Sequence, residues 1–225
     1  MKHLAAKAWL SVVALGVIMG VLLFGAAGSI HYWEAWVYLT IVIGLTGITT
    51  FDLLQRDPAL LERRMTGGPT AEQRPVQKVI MWLASAAYLA MLVVPALDYR
   101  NGWSHVPLAF IILGDILVAL GFWFIMIVYR ANTFTAATVQ VAQNQIVIST
   151  GPYAIVRHPM YASGLLYVLG TPLALASWWG LLSVAAFIPV LIWRLLDEES
   201  MLSAELKGYQ EYRQRVRYRL VPYLW

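Results

Sequence analysis

Long stretches without charged residues constrain this chain more than any other feature of its sequence. No charged residue lies between Lys7 and Glu34, and none lies from Pro159 to Trp193. These stretches exceed the roughly 20 apolar residues that a helix needs to cross the hydrocarbon core of a membrane. Only 12% of the residues are charged, against roughly 25% in a soluble domain. The sequence therefore predicts an all-α, polytopic integral membrane protein.

About six membrane spans are predicted. The first four cover residues 9–27, 33–54, 79–97 and 106–128. The apolar stretch 159–193 would measure roughly 50 Å as one helix, which is too long for a single crossing. Because Ser177-Trp178-Trp179-Gly180 marks its middle, we expect two short helices, over about 161–176 and 180–196, joined by a tight turn. The first apolar run is too long for a signal peptide, so we expect it to remain as a helix.

The positive charges predict the orientation. With six spans, every Lys and Arg except Arg100 falls on the side of the N-terminus. Cytoplasmic loops carry an excess of Lys and Arg, so we expect that side to face the cytoplasm of a bacterium or the cytoplasmic face of the endoplasmic reticulum. This distribution explains the net charge of +4 without a nucleic-acid partner. The chain has no cysteine, which excludes disulfides and thiolate chemistry, and no metal site is expected.

Two regions of different character follow. Residues 1–128 read as a transmembrane scaffold of about four spans, with Asp115 as an acid deep in a span whose role, functional or structural, stays open. Residues 129–225 read as the functional region. Its polar stretch alternates over 138–143 and 145–150 around Asn144, which predicts a small hairpin.

Polar residues flank the predicted helical hairpin on both sides. Arg157 and His158 precede Pro159, which is typical of the first turn of a helix. Free N–H groups there, together with Arg157, could bind an anion, although an interfacial anchor explains the pair as well. After the hairpin, Arg194 and Glu198 share one helix face. The hairpin would bring both clusters together, which is the main argument for a site.

An amphipathic helix is predicted to close the chain over residues 200–218. It would turn apolar side chains to the membrane and basic ones to lipid phosphates or water. The apolar set is Met201, Leu202, Leu206 and Tyr209, and the basic set is Arg213, Arg215 and Arg217.

The order of these motifs resembles the isoprenylcysteine carboxyl methyltransferase family, part of a wider group of membrane methyltransferases that includes phospholipid N-methyltransferases. The resemblance covers about residues 129–225 and rests on Gly151-Pro152-Tyr153, Arg157-His158-Pro159-Met160-Tyr161 and Glu198-Glu199. It implies S-adenosylmethionine as cofactor and Arg194 as a substrate-facing residue. The implied cofactor contacts are Gln140, Gln145, Ile146, Val147, Ile148, Tyr153, His158, Pro159, Tyr161 and Glu198.

The sequence does not distinguish among several classes of methyl acceptor. A lipophilic acceptor with a carboxylate, as in an isoprenylcysteine, arrives ionised, and Arg194 could orient it. A phospholipid amine must first lose a proton, which Glu199 or Glu198 could accept. The predicted catalytic residues are therefore Arg194, Glu199 and Arg157. A small thiol acceptor, or a transporter or scaffold without enzymatic activity, is the remaining alternative, although the motifs show no internal repeat.

Overall fold

The computed structural model describes residues 2–140 and 144–225, and within these ranges it is helical, without strands. The all-α prediction is therefore confirmed. The α-helices are α1 (Lys2–Ala27), α2 (Trp33–Arg56), α3 (Pro58–Met65), α4 (Pro75–Asn101), α5 (Leu108–Ala131), α6 (Pro159–Ala174), α7 (Gly180–Glu205) and α8 (Tyr209–Arg215), and a short 3₁₀-helix (Gly151–Ala154) precedes α6.

Five of these helices, namely α1, α2, α4, α5 and α7, are long and apolar enough to cross a membrane. They include the first four predicted spans. The helix α6 has only 16 residues, so it measures roughly 24 Å. It nevertheless runs through the bundle, because its two ends contact opposite ends of other helices. Leu175 O, just after α6, accepts a hydrogen bond from Tyr32 at the start of α2, whereas His158, just before α6, lies against Glu199 near the end of α7.

We call the end of the bundle where α2, α5 and α7 finish and α4 and α6 begin the charged end. At the opposite end, the buried carboxylate of Asp98 joins two connections. It accepts hydrogen bonds from the backbone N–H and hydroxyl of Ser104, at 2.7 and 2.6 Å, and from the Ser177 hydroxyl at 2.5 Å. The turn between α6 and α7 is thereby fixed to the connection between α4 and α5. Asp115 lies partly buried in α5.

Glycines allow α5 and α6 to pack backbone against backbone. A Cβ atom on Gly114 would lie 2.2 Å from the backbone nitrogen of Ala174, and one on Gly121 would lie 2.8 Å from that of Tyr167. On α6, a Cβ atom on Gly170 would lie 2.6 Å from Gly114 O. Small residues permit such close approach between membrane helices. This contact fixes α6, and with it the residues at its start, against α5.

Two local predictions are wrong. Residues 138–140 and 144–150 form no strand, and residues 141–143 of the expected hairpin lie outside the described residues. The amphipathic helix over 200–218 is not continuous either, because α7 runs on to Glu205 and Gly208 then adopts a positive φ of 85° before α8.

The apolar residues of that predicted helix do not face lipid. They form a buried cluster, which brings the end of α7 and α8 against the polar stretch after α5. Its members are Val139, Met201, Leu202, Leu206, Tyr209, Tyr212 and Val216. The basic residues Arg213, Arg215 and Arg217 are exposed, in keeping with the prediction.

Candidate active site

Two polar clusters meet at the charged end, where α6 begins and α7 ends. Arg157 Nε donates to Glu199 Oε1 at 2.6 Å, and His158 Nε2 lies 3.2 Å from the same oxygen. All three side chains are at most 5% exposed. Because α6 and α7 form an antiparallel hairpin, the residues before the first helix meet those near the end of the second. The sequence predicted this encounter from the length of the apolar stretch.

Glu199 also joins the C-terminal segment, residues 216–225, to α6. Arg219 Nε donates to Glu199 Oε2 at 2.9 Å. Arg157 Nη1 donates to the backbone carbonyls of Val216 and Arg217, at 3.0 and 2.8 Å. Two carboxylate oxygens therefore meet two guanidinium groups, in surroundings where an unpaired charge would be costly.

Backbone hydrogen bonds also hold the C-terminal segment against the residues before α6. The N–H groups of Arg157 and His158 donate to the carbonyls of Tyr218 and Arg219, each at 2.9 Å. Glu199 is thus surrounded by groups that fasten the end of the chain. The sequence predicted that Glu199 could act as a base toward the substrate. A base in that role would face the substrate, whereas Glu199 faces the C-terminal segment.

Tyr161 connects the two residues that the sequence placed on one face of α7. Its hydroxyl donates to Glu198 Oε2 at 2.5 Å. Arg194 Nε in turn donates to the Tyr161 oxygen at 3.2 Å. The tyrosine of the Arg157–Tyr161 motif therefore bridges the Arg194 and Glu198 pair.

Arg194 has a carboxylate partner that sequence reasoning missed, Glu72 in the connection between α3 and α4. Arg194 Nη1 lies 2.9 Å from Glu72 Oε1, and the Glu72 side chain is 0% exposed. The same Nη1 donates to Gln77 Oε1 at 2.9 Å, and Nη2 donates to Ala137 O at 3.0 Å. The membrane topology offered a signal, since residues 55–78, between the second and third predicted spans, fall on the same side of the membrane as Arg194.

Asp197 fastens the beginning of α4 to α7. Arg74 donates to both of its carboxylate oxygens, at 2.7 and 2.9 Å. Gln77, which is fully buried, donates to Asp197 Oδ2 at 2.5 Å and accepts from Arg194. The three consecutive acids of α7 thus have three different sets of partners.

Residues 132–140, which follow α5 without regular structure, are held by the N-terminal half. Arg64 Nη1 donates to Ala136 O at 2.5 Å, and the guanidinium lies 5.4 Å from the Tyr129 ring centre. The N–H of Val139 donates to Glu72 Oε2 at 3.1 Å. Residues 1–128 therefore shape the site directly, besides carrying the spans.

A cavity of about 730 Å³ joins these residues to the interior of the bundle. The wall at the charged end, which we call the polar wall although it includes residues 146–148, contains most of the predicted site residues, namely Gln140, Gln145, Ile146, Val147, Ile148, Tyr153, Arg157, His158, Tyr161, Arg194 and Glu198. Its apolar wall comes from the spanning helices and includes Met81, Leu89, Ile125, Val168, Phe187 and Leu191. Two predicted site residues lie outside the lining, Pro159 in the first turn of α6 and Glu199 behind Arg157.

Three tyrosines near the polar wall remain neutral hydrogen-bond donors at physiological pH. Burial raises the pKa of Tyr153 to about 12, and it also raises the pKa values of Tyr209 and Tyr212 above the ordinary value. The Tyr212 hydroxyl donates to Tyr153 O at 2.7 Å. The buried Tyr209 hydroxyl has no hydrogen-bond partner within residues 2–140 and 144–225, although Tyr209 lines the cavity.

The stretch that builds most of this cavity also matches a known family. Residues 109–208 match the model of the phospholipid methyltransferase family. The match runs from the start of α5 to the residue before α8, and it includes every predicted site residue. It confirms the resemblance to membrane methyltransferases that the motifs indicate. No curated protein matches the chain. Glu72, Gln77 and the cavity lining from α4 lie outside the matched stretch.

Proposed function

We propose that this chain is an S-adenosylmethionine-dependent methyltransferase that acts on a lipophilic acceptor, with the charged end facing the cytoplasm. The observation that carries the proposal is that one continuous cavity joins a polar wall at the charged end to an apolar wall inside the bundle. A water-soluble cofactor and a membrane-dissolved acceptor need such a meeting place. The family match over 109–208 supports methyl transfer.

The donor set fits the cofactor. S-adenosylmethionine, when bound, supplies an electrophilic methyl group on a sulfonium, and it also carries an ammonium group, a carboxylate and an adenosine. Glu198 is the carboxylate in the described lining, and it could pair with the ammonium group of the cofactor. The residues that would hold the cofactor are Gln140, Gln145, Ile146, Val147, Ile148, Tyr153, His158, Tyr161 and Glu198, with Pro159 setting the start of α6.

Two acceptor classes compete for the apolar wall. Carboxyl methylation of an isoprenylcysteine-like acceptor needs a cation that is free to orient the carboxylate. Arg194 is the predicted cation, but it already contacts Glu72, Gln77 and Ala137. This engagement favours the second class, the headgroup amine of a phospholipid, which needs no cationic partner. The match of residues 109–208 to the phospholipid methyltransferase family also favours a phospholipid amine as the acceptor.

An amine acceptor requires removal of a proton before its lone pair can react. Glu198 is better placed than Glu199 to accept this proton, because Glu198 lines the cavity and Glu199 lies outside it. The Tyr161 hydroxyl, which donates to Glu198 Oε2, fixes the orientation of that carboxylate. Turnover should therefore rise with pH as the free amine becomes more abundant.

Binding of S-adenosylhomocysteine to the protein in detergent, measured by calorimetry, tests the cofactor. Transfer of a labelled methyl group then compares bilayers containing phosphatidylethanolamine with bilayers of phosphatidylcholine plus an S-farnesyl thioether acid. We expect binding, and transfer to the amine. Absence of binding would contradict the proposal and favour a transporter or scaffold, whereas transfer to the acid alone would reassign the acceptor.

Gly164 offers a variant that tests the apolar wall. It lines the cavity, and a Cβ atom there would meet no atom within 4 Å. Gly164→Leu should fill part of the acceptor space and lower transfer at least about tenfold, while cofactor affinity changes little. Gly44→Leu, also without a neighbour within 4 Å, is the matched control and should behave as wild type. Equal activity of both variants would place the acceptor elsewhere.

A further inference from the structure

Two of the arginines that line the cavity are paired with carboxylates before any ligand arrives. Arg157 is paired with Glu199, and Arg194 with Glu72. The side chains of Glu72 and Arg194 are 0% and 11% exposed. Water screens such a pair poorly, so the two charges compensate each other strongly. The guanidinium that best suits an anionic acceptor is therefore electrically neutralised from within the protein.

Both partners also contact other groups. Glu72 Oε1 faces Arg194 Nη1 at 2.9 Å as an ion pair without hydrogen-bond geometry, and Glu72 Oε2 accepts a hydrogen bond from the N–H of Val139. A guanidinium has five N–H donors. Arg194 donates three of them, from Nη1 to Gln77 Oε1, from Nη2 to Ala137 O and from Nε to the Tyr161 oxygen, while Nη1 also faces Glu72 Oε1. A second carboxylate would therefore compete with Glu72 for the same guanidinium.

We propose that Glu72 is a specificity-determining residue, which neutralises Arg194 and thereby excludes acceptors whose reacting end is a carboxylate. A carboxylate ligand would have to displace Glu72 and leave it buried without a counter-ion, which is strongly unfavourable. The inference rests on the proposed function only in taking this cavity as the acceptor site. It concerns a residue outside the stretch that matches the family.

The substitution Glu72→Gln isolates the charge. Glutamine has nearly the same shape and keeps an oxygen for the N–H of Val139, but it leaves Arg194 without a carboxylate. Glu62→Gln is the matched control, because Glu62 is an exposed acid on the neighbouring helix α3. The probes are S-farnesylthioacetic acid and its carboxamide, which differ in charge at one end. Binding is measured by tryptophan fluorescence in lipid nanodiscs, without turnover.

In the wild type and in Glu62→Gln, we expect the acid to bind no better than the amide. In Glu72→Gln, we expect the acid to bind at least about tenfold more tightly than the amide, as a charge-assisted hydrogen bond would give. A gain confined to Glu72→Gln would support the proposal.

Three results would overturn it. The first is a wild-type protein that already binds the acid tenfold more tightly than the amide. This measurement does not depend on whether Glu72→Gln folds. The second is a folded Glu72→Gln protein without any preference for the acid, and the third is the absence of acid binding in every protein. Calorimetry with S-adenosylhomocysteine on the same samples tests the proposed function separately, because failure there leaves the ratio of acid to amide binding as an independent result.

Discussion

The substitution Glu199→Gln distinguishes two roles of Glu199, a structural role in holding the C-terminal segment and a catalytic role as a base. The wild-type carboxylate is 4% exposed and contacts Arg157, His158 and Arg219. Glutamine fills the same space but cannot balance the charge of Arg157, which is 5% exposed. Removing one partner of a buried ion pair costs about 3–5 kcal/mol. We expect a value near the lower bound, because Arg157 keeps the backbone carbonyls of the C-terminal segment.

The loss should be local and measurable by hydrogen exchange. The N–H groups of Arg157 and His158 are bonded to carbonyls of residues 218 and 219, so they exchange when the C-terminal segment detaches. A cost of about 3 kcal/mol corresponds to exchange roughly 150-fold faster at these amides. Glu205→Gln is the control, since Glu205 is an exposed acid at the end of the same helix. In the Glu205→Gln variant, the backbone amides of Arg157 and His158 should exchange at the wild-type rate.

One pattern of results would refute this reasoning. If Glu199→Gln left the exchange of both amides unchanged while methyl transfer collapsed, Glu199 would act on the acceptor. The role predicted from the sequence would then be correct, and the contacts with Arg157 and Arg219 would be incidental to stability.

Three further outcomes are expected. Glu198→Gln should weaken binding of S-adenosylhomocysteine at least about tenfold by calorimetry, because the described lining loses its carboxylate, and unchanged affinity would contradict this. Topology reporters fused at Asn101 and after Trp225 should report opposite compartments, whereas equal accessibility would contradict the proposed orientation. Gly121→Leu should abolish folding, since a Cβ atom there would lie 2.8 Å from the backbone of α6, while Gly44→Leu should unfold at the wild-type temperature.

The spans were predictable because hydrophobicity is a local property of the chain. The predicted span 33–54 lies within α2 (Trp33–Arg56), and the turn predicted at 177–180 falls between α6 and α7. The C-terminal helix was mispredicted because its apolar spacing was followed through Gly208. The packing of Leu206 and Tyr209 against Val139, not lipid, decides the direction of that segment.

The candidate site was predictable only in part. The encounter of Arg157 with Glu199 follows from hairpin connectivity alone. The partner of Arg194 does not, because the choice of Glu72 depends on how the connection before α4 packs against α7, and sequence distance carries no information about that packing. Similarly, nothing in the residue types distinguishes Glu198, which lines the cavity, from Glu199, which does not.

Asp197, Glu198 and Glu199 also determine how α7 can move. Successive residues of an α-helix are turned by about 100°, so the three carboxylates cover roughly 200° of the circumference of α7. They contact the loop before α4, the helix α6 and the C-terminal segment, respectively. Any axial rotation of α7 would break all three sets of contacts together. Detachment of the C-terminal segment from α7, in contrast, would release only one of the three carboxylates, Glu199, so this motion needs no rotation of α7.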